Sequence, residues 1–518
     1  MSQNTFKFGS DRLSSSIALK IVRGELHGIL TKEVKIKITQ SASYVDEIAN
    51  GPNPVYGINT GFGPLCTTLI SPEETKKLQH NLLISHSVGV GNPIAKDISK
   101  LMMILKVHAL SFGYSGVRLS TIERIIWMIE NDIVPIVPEQ GSVGASGDLA
   151  PLSHLFLPLI GLGEVFYKGE RVNTSTTLEA EKINPITLHA KEGLGLINGT
   201  QFIAAHAVVA VNKMSDLLDN ADICGAMMVD GLLASQTPFR SELHAVRDYK
   251  GTSYVAERLR HFINRSEINK SHMDCERVQD PYSLRCMPQV HGASRNAWLH
   301  LKEMVEIEIN SVTDNPIIYD TELTMSGGNF HGQPLALVLD YACIAAAEVG
   351  SISERRSYLA LKGNIPGVPK LLMHNLGSNS GFMIPQYTAA AIVSENKTLA
   401  HPASVDSIPT SLGQEDHVSM GSISGRKTLQ VISNVEKILG IELLSACQAV
   451  DFHRPLKSSE ILEEIHTYVR KSIPFLKEDD VLYPHMNQAI DMIKDGVLLD
   501  IERKYKVNSP LQSTFDNY

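Results

Sequence analysis

The stretch GSVGASGDLAPLSHL, residues 141–155, places glycines at 141, 144 and 147 around a small Ala145-Ser146 pair, just ahead of an apolar run that reads as a helix. One glycine suffices for a turn, so three of them give the backbone itself a task. A glycine-rich helix entrance can cradle an anion on its free N–H groups. The phosphate-loop pattern fails, because no Lys-Ser or Lys-Thr follows the glycines. The serine-hydrolase elbow fails too, because Gly147 directly follows Ser146 and leaves no G-x-S-x-G. A third chemistry suits all three residue types. In a tight fold the Gly147 nitrogen can attack the Ala145 carbonyl and close a five-membered ring. Glycine tolerates the backbone torsion this needs, and alanine keeps the attacked carbonyl uncrowded. Ser146 carries a β-hydroxyl whose loss as water leaves an exocyclic methylidene. The product is an electrophile made from protein alone.

The rest of the chain bounds what such a group could serve. With 47 Lys+Arg against 56 Asp+Glu, the 518 residues carry a net charge of −9. That sign disfavours nucleic acid and anionic membrane as partners. The 43% hydrophobic and 20% charged content is that of a globular protein. The six cysteines, Cys66, Cys224, Cys275, Cys286, Cys343 and Cys447, show no CxxC spacing. They read as free thiols in a reducing compartment, with no zinc site and no disulfide framework. The N-terminus lacks a basic region followed by an apolar core, and the apolar run LALVLDYACIAAAEVG is broken by Asp340. Neither a secretory signal nor a membrane span is expected, and the expected location is cytoplasmic.

Helix signals dominate. Ser71-Pro72-Glu73-Glu74 combines a capping box with Pro at the first helical position, and Ser120-Thr121-Ile122-Glu123 offers a second box. Ile432, Val435, Leu439, Leu443, Ala446 and Val450 recur at three- and four-residue steps, while Ile438, Ile441 and Leu444 fill other faces. That helix is predicted to be buried on most sides. TQFIAAHAVVAVNKMSDLL and PLALVLDYACIAAAEVGSI read alike. Strand signals are few, the clearest being a hairpin over 164–172 about Lys168-Gly169. The prediction is a mainly α protein: residues 1–200 form a loop-rich cap carrying the chemistry, and 201–518 a long helical bundle.

Seven further blocks stand in order around the Ala-Ser-Gly segment: VYGINTGFGPL, NLLISHSVGVG, GLINGTQ, VQDPYSLRCMPQVHGAS, SVTDNPII, SGGNFHGQPLAL and QEDHVSMG. Together they resemble the aromatic amino-acid ammonia-lyases, over nearly the whole chain. The resemblance implies a fumarase/aspartase-like helical bundle and a homotetramer with shared active sites acting on a small amino acid. It implies the prosthetic group 4-methylideneimidazole-5-one (MIO), formed from Ala145, Ser146 and Gly147, with no external cofactor and no metal. Within that family the chain is most similar to histidine-acting members, which implies elimination of ammonia from L-histidine to trans-urocanate. A tyrosine or phenylalanine ammonia-lyase, or an aminomutase on the same scaffold, is the alternative.

The same resemblance assigns roles. Tyr282 would take the β-proton, and because a phenol has an ordinary pKa of about 10 the site must lower it or couple it to cations. Arg285, one helical turn on, would pair with the substrate carboxylate, as a planar guanidinium does well. Asn198 and Gln279 would hydrogen-bond the prosthetic group and substrate, Tyr56 would lie near the substrate amine, and Phe330 would wall the pocket. Asp148 would assist cyclisation by hydrogen bonding. His86, next to Ser85, and Glu415 would face the substrate ring. Glu415 is the sharper marker, since tyrosine and phenylalanine enzymes typically carry Gln there. Met287 and His291 depart from a fixed pattern and put the pocket's outer shell in question.

Overall fold

The computed structural model describes residues 4–61, 70–273, 277–505 and 509–516. Cys66 and Cys275, and the end of the VYGINTGFGPL block, lie outside them. Cys224, Cys286, Cys343 and Cys447 are free thiols. The chain is mainly α-helical and forms two compact units. One comprises Met1–Val209, Leu301–Asp340 and Pro402–Arg426; the other comprises Ala210–His300, Tyr341–His401 and Lys427–Tyr518. This partition differs from a cut at residue 200. Four of the five boundaries fall inside the long helices Gln201–Gly231, Met287–Glu308, Gln333–Ala360 and Gly421–Asp451, and the fifth, between His401 and Pro402, follows the helix Met383–Leu399.

In the first unit, short helices and small sheets surround the apolar helix Lys96–Leu110, most of which is buried. The helix Pro72–His86 starts as its sequence dictates: Ser71 Oγ accepts the Glu74 amide, and the Glu74 carboxylate accepts the Ser71 amide. The second expected box is not used. That helix already begins at Leu119, with Arg118 at its cap, so Ser120 lies within it. The Glu192 carboxylate takes the Arg118 amide at 3.1 Å and the Thr121 hydroxyl at 2.7 Å. A buried acid from elsewhere thus fastens the start of this helix. The hairpin forms as predicted, Glu164–Tyr167 pairing antiparallel with Glu170–Asn173. Lys168 and Gly169 both have positive φ at its turn, which matches the twist of the strands.

Remote contacts explain why 301–340 and 402–426 belong to this unit. Asp314 forms a buried ion pair with Lys191 at 2.7 Å and accepts the Ser115 hydroxyl at 2.9 Å. Met420 donates its amide to the Val143 carbonyl, and Val418 and Met420 pack against Ala145. The helix Gln333–Ala360 is long and apolar enough to cross a membrane by length and composition, but 67% of its most apolar window is buried inside the protein. Its Asp340 is buried and accepts the Ser404 amide at 2.7 Å.

In the second unit the predicted periodic helix runs to Asp451, and all nine apolar positions named for it are buried. Met287 and His291 are completely buried here. Met287 packs over Gly225, and His291 hydrogen-bonds Asp222 at 2.7 Å. The sequence reading put them in a pocket's outer shell; they are core residues of this unit.

Candidate active site

Ser146 has φ +53° and Gly147 φ +79°, the left-handed region that costs an ordinary residue about 1–2 kcal/mol. The turn is held in this shape by a parallel bridge between Gly147 and Gly199. Its two hydrogen bonds run from the Gly199 amide to the Ser146 carbonyl, 3.3 Å, and from the Asp148 amide to the Gly199 carbonyl, 2.8 Å. Both use groups flanking Gly147, so the Gly147 amide stands outside the ladder. No Cβ fits there, since it would lie 2.1 Å from the Gly199 carbonyl oxygen.

The Ser146 carbonyl also accepts Asn198 Nδ2 at 2.7 Å. Asn198 is buried, and its Oδ1 has no partner within the described residues. An unpaired buried carbonyl is costly, so this atom is an acceptor waiting for a donor. Behind it, buried Lys106 donates to the Asn198 carbonyl at 2.6 Å. Burial pushes that ammonium down to about 7.

Asp148 behaves differently from the sequence expectation. One carboxylate oxygen accepts the Ser142 hydroxyl at 2.8 Å, and the other accepts the Phe202 and Ile203 amides at 3.1 and 3.0 Å. The side chain therefore caps the helix Gln201–Gly231 and does not hydrogen-bond the Ala-Ser-Gly triplet. Burial raises its carboxyl to about 7, against those hydrogen bonds.

The turn sits at a pocket of about 640 Å³ lined by Tyr56, His86, Ser146, Asn198, Phe330 and Glu415 among others. Ala145 and Gly147 line a second space of about 230 Å³, which shares His86 and Glu415 with the first. Glu415 comes from a loop that closes on itself: the Thr410 amide donates to the Glu415 carbonyl at 2.9 Å. Its Oε1 accepts the Ser146 hydroxyl at 2.8 Å, while Oε2 accepts Thr410 Oγ1 at 2.9 Å and Ser411 Oγ at 2.8 Å. His86 sits at the end of the helix Pro72–His86, with Nδ1 2.9 Å from Ser85 Oγ. Burial lowers its imidazole, and the charge of Glu415 opposes that shift.

Gln279, Tyr282 and Arg285 belong to the second unit. Gln279 is exposed and Tyr282 is 71% exposed. Tyr282 and Arg285 do share a face: the guanidinium lies 4.5 Å from the Tyr282 ring centre. Arg285 Nε donates to the Asp280 carbonyl at 2.9 Å. The first-unit pocket is lined by first-unit residues.

Several lining residues had no assigned role in the sequence. Asn81 lines the pocket one turn before Ser85, and Gln414 precedes Glu415. Asn315 fastens the rim, donating to Ser326 Oγ at 2.9 Å and accepting the Gly327 amide at 2.7 Å. Their signal lay in the blocks NLLISHSVGVG, SVTDNPII and QEDHVSMG, whose individual positions periodicity cannot rank.

The residues present fit MIO. The turn is already bent, the Gly147 amide is outside the ladder, and Asn198 Oδ1 is an orphaned acceptor beside Ser146. Among the described residues, no group of three or more His, Cys, Asp or Glu could hold a metal ion.

The chain is similar to known proteins over nearly its whole length. A histidine ammonia-lyase of Myxococcus xanthus (strain DK1622) is 44% identical over 500 residues, covering 96% of this chain and 98% of that protein. One from Desulfotalea psychrophila is 46% identical over 468 residues, 90% of this chain and 91% of that one. The crystal structure of histidine ammonia-lyase from Trypanosoma cruzi superposes with a TM-score of 0.90 at 38% identity, covering 99% of this chain and 97% of that one. That of tyrosine aminomutase from Streptomyces globisporus gives 0.91 at 32%, covering 96% and 98%. The family model described as aromatic amino acid lyase matches residues 13–471, a span holding every residue of the pocket and the strained turn, and the chain belongs to that family.

Proposed function

We propose that the chain eliminates ammonia from L-histidine to give trans-urocanate, the first step of histidine degradation, with MIO formed from its own Ala145, Ser146 and Gly147. The observation that carries the substrate is Glu415: a carboxylate, not an amide, lies in the pocket beside His86. An imidazole offers a ring N–H that this carboxylate can accept. A phenyl ring offers no donor, and desolvating a carboxylate against it is unfavourable. The relatives named histidine ammonia-lyase support the same choice.

The prosthetic group supplies an electrophile that activates the poor amine leaving group. Everything else falls to side chains. Arg285 pairs with the substrate carboxylate, and Asn198 and Gln279 add hydrogen bonds. Tyr282 takes the β-proton, with the Arg285 guanidinium supplying a cation beside that base. Tyr56 faces the substrate amine and Phe330 the ring. The exposure of Gln279 and Tyr282 in the single chain fits a homotetramer in which neighbouring subunits complete each site. The proposed location is the cytoplasm, and no external cofactor is needed.

The test is ultraviolet detection of product from L-histidine, L-tyrosine and L-phenylalanine in parallel. Urocanate from histidine is expected to dominate. Preferential release of coumarate or cinnamate, or a β-amino acid product, would favour the tyrosine or phenylalanine enzymes and the aminomutases, a reading the likeness to tyrosine aminomutase keeps in play.

A further inference from the structure

We propose that Glu415 acts before any substrate arrives: its carboxylate drives the loss of the Ser146 hydroxyl, and that loss frees the same carboxylate for the substrate ring. The proposal rests on reading Ala145-Ser146-Gly147 as the precursor of MIO.

In the unreacted chain the Ser146 hydroxyl donates to Glu415 Oε1 at 2.8 Å. The contact is built from both sides. Thr410 and Ser411 hydroxyls fasten Oε2. At the other end, Asn198 Nδ2 and the Gly199 amide fasten the Ser146 carbonyl. The Cβ–Oγ bond is therefore fixed in direction relative to the turn. Asp148, the carboxylate next in sequence, is unsuited to this work. Both its oxygens are taken by Ser142, Phe202 and Ile203.

Ring closure forms the bond from Gly147 nitrogen to the Ala145 carbonyl carbon. The oxygen of that carbonyl leaves as the first water, with the N–H protons of Gly147 and Ser146. The second water takes the Ser146 Cα proton and the Oγ hydroxyl. The Cα–H electron pair becomes the Cα=Cβ double bond as the Cβ–Oγ bond breaks toward oxygen. Glu415 takes up a proton equivalent to the one lost from Cα and delivers it through Oε1 to the departing oxygen, ending unchanged. Oε1 then lacks its donor, and an imidazole N–H can replace it. The unreacted chain keeps that oxygen occupied.

The experiment follows intact mass, and the mass of the peptide holding residues 141–155, over time after synthesis. Wild type should become two waters lighter than its sequence. Glu415→Ala should stall with at least one water retained, and Glu415→Gln, which can hold the hydroxyl but passes no proton, should lose the second water roughly a hundredfold more slowly. Circular dichroism checks folding. Should Glu415→Ala not fold, Glu415→Gln and the pair Thr410→Val with Ser411→Ala carry the test. Maturation of the folded Glu415 variants at the wild-type rate overturns the proposal. A wild-type chain at full sequence mass sinks the prosthetic-group reading instead, so the two failures are distinguishable.

Discussion

Gly147 lies so close to Gly199 that a β-carbon on it would stand 2.1 Å from the Gly199 carbonyl oxygen. The two glycines hold the turn through the bridge that leaves the Gly147 amide outside the ladder. Gly147→Ala therefore meets both a backbone clash and a left-handed φ, the latter alone costing about 1–2 kcal/mol. We expect a lowered Tm and a chain that keeps its full sequence mass. A matured Gly147→Ala chain of wild-type stability would contradict this account of the turn.

Asp148 predicts a pH dependence of stability. Its carboxyl is raised by burial from an ordinary 3.8 to about 7. Between those values the folded chain holds a proton that the unfolded chain has released, so the unfolded state binds fewer protons there. Stability contributed by this group falls as pH rises through the window and is lost above about 7. Asp148→Asn has no such proton. The wild-type stability minus that of Asp148→Asn, from urea unfolding, should fall across the window and then level off. A constant difference refutes the assignment.

Glu415→Gln keeps the side-chain shape and removes the charge. Losing a charge-assisted hydrogen bond costs on the order of 1.5–3 kcal/mol. That corresponds to roughly ten- to a hundredfold in kcat/KM for histidine, with a smaller effect on any residual tyrosine turnover. The comparison is made on the matured fraction, quantified by mass, so that slow maturation is not mistaken for weak substrate binding. Unchanged histidine kinetics in that fraction would remove Glu415 from substrate choice.

Shared sites predict complementation. Ser146→Ala lacks the hydroxyl to lose, and Tyr282→Phe lacks the proposed base; each should fold and be inactive alone. Dissociated, mixed and reassembled, the two should regain part of the activity if neighbouring chains contribute to one site. Verified mixed oligomers without activity would mean that each chain builds its site by itself.

The parts of this protein legible in its sequence are those set by interactions a few residues long. The Ala145-Ser146-Gly147 turn, the Ser71 capping box, the Lys168-Gly169 hairpin and the buried helix through Ile432 and Val450 all follow from torsional freedom, local donors or a 3.6-residue period. The Tyr282–Arg285 pairing followed the same way, from three residues of helical spacing. Tertiary structure decided the rest. Glu415 reaches Ser146 across 269 residues of chain. Glu192 holds the Arg118 amide at a helix start that leaves Ser120 inside the helix, Asp148 turns from its own triplet to the amides of Phe202 and Ile203, and Met287 enters a core. In each polar case a buried or half-buried group had several possible partners. A buried donor or acceptor left unpaired costs more than the bond itself contributes, so the whole fold settles which partners are satisfied, and no short stretch of sequence contains that information.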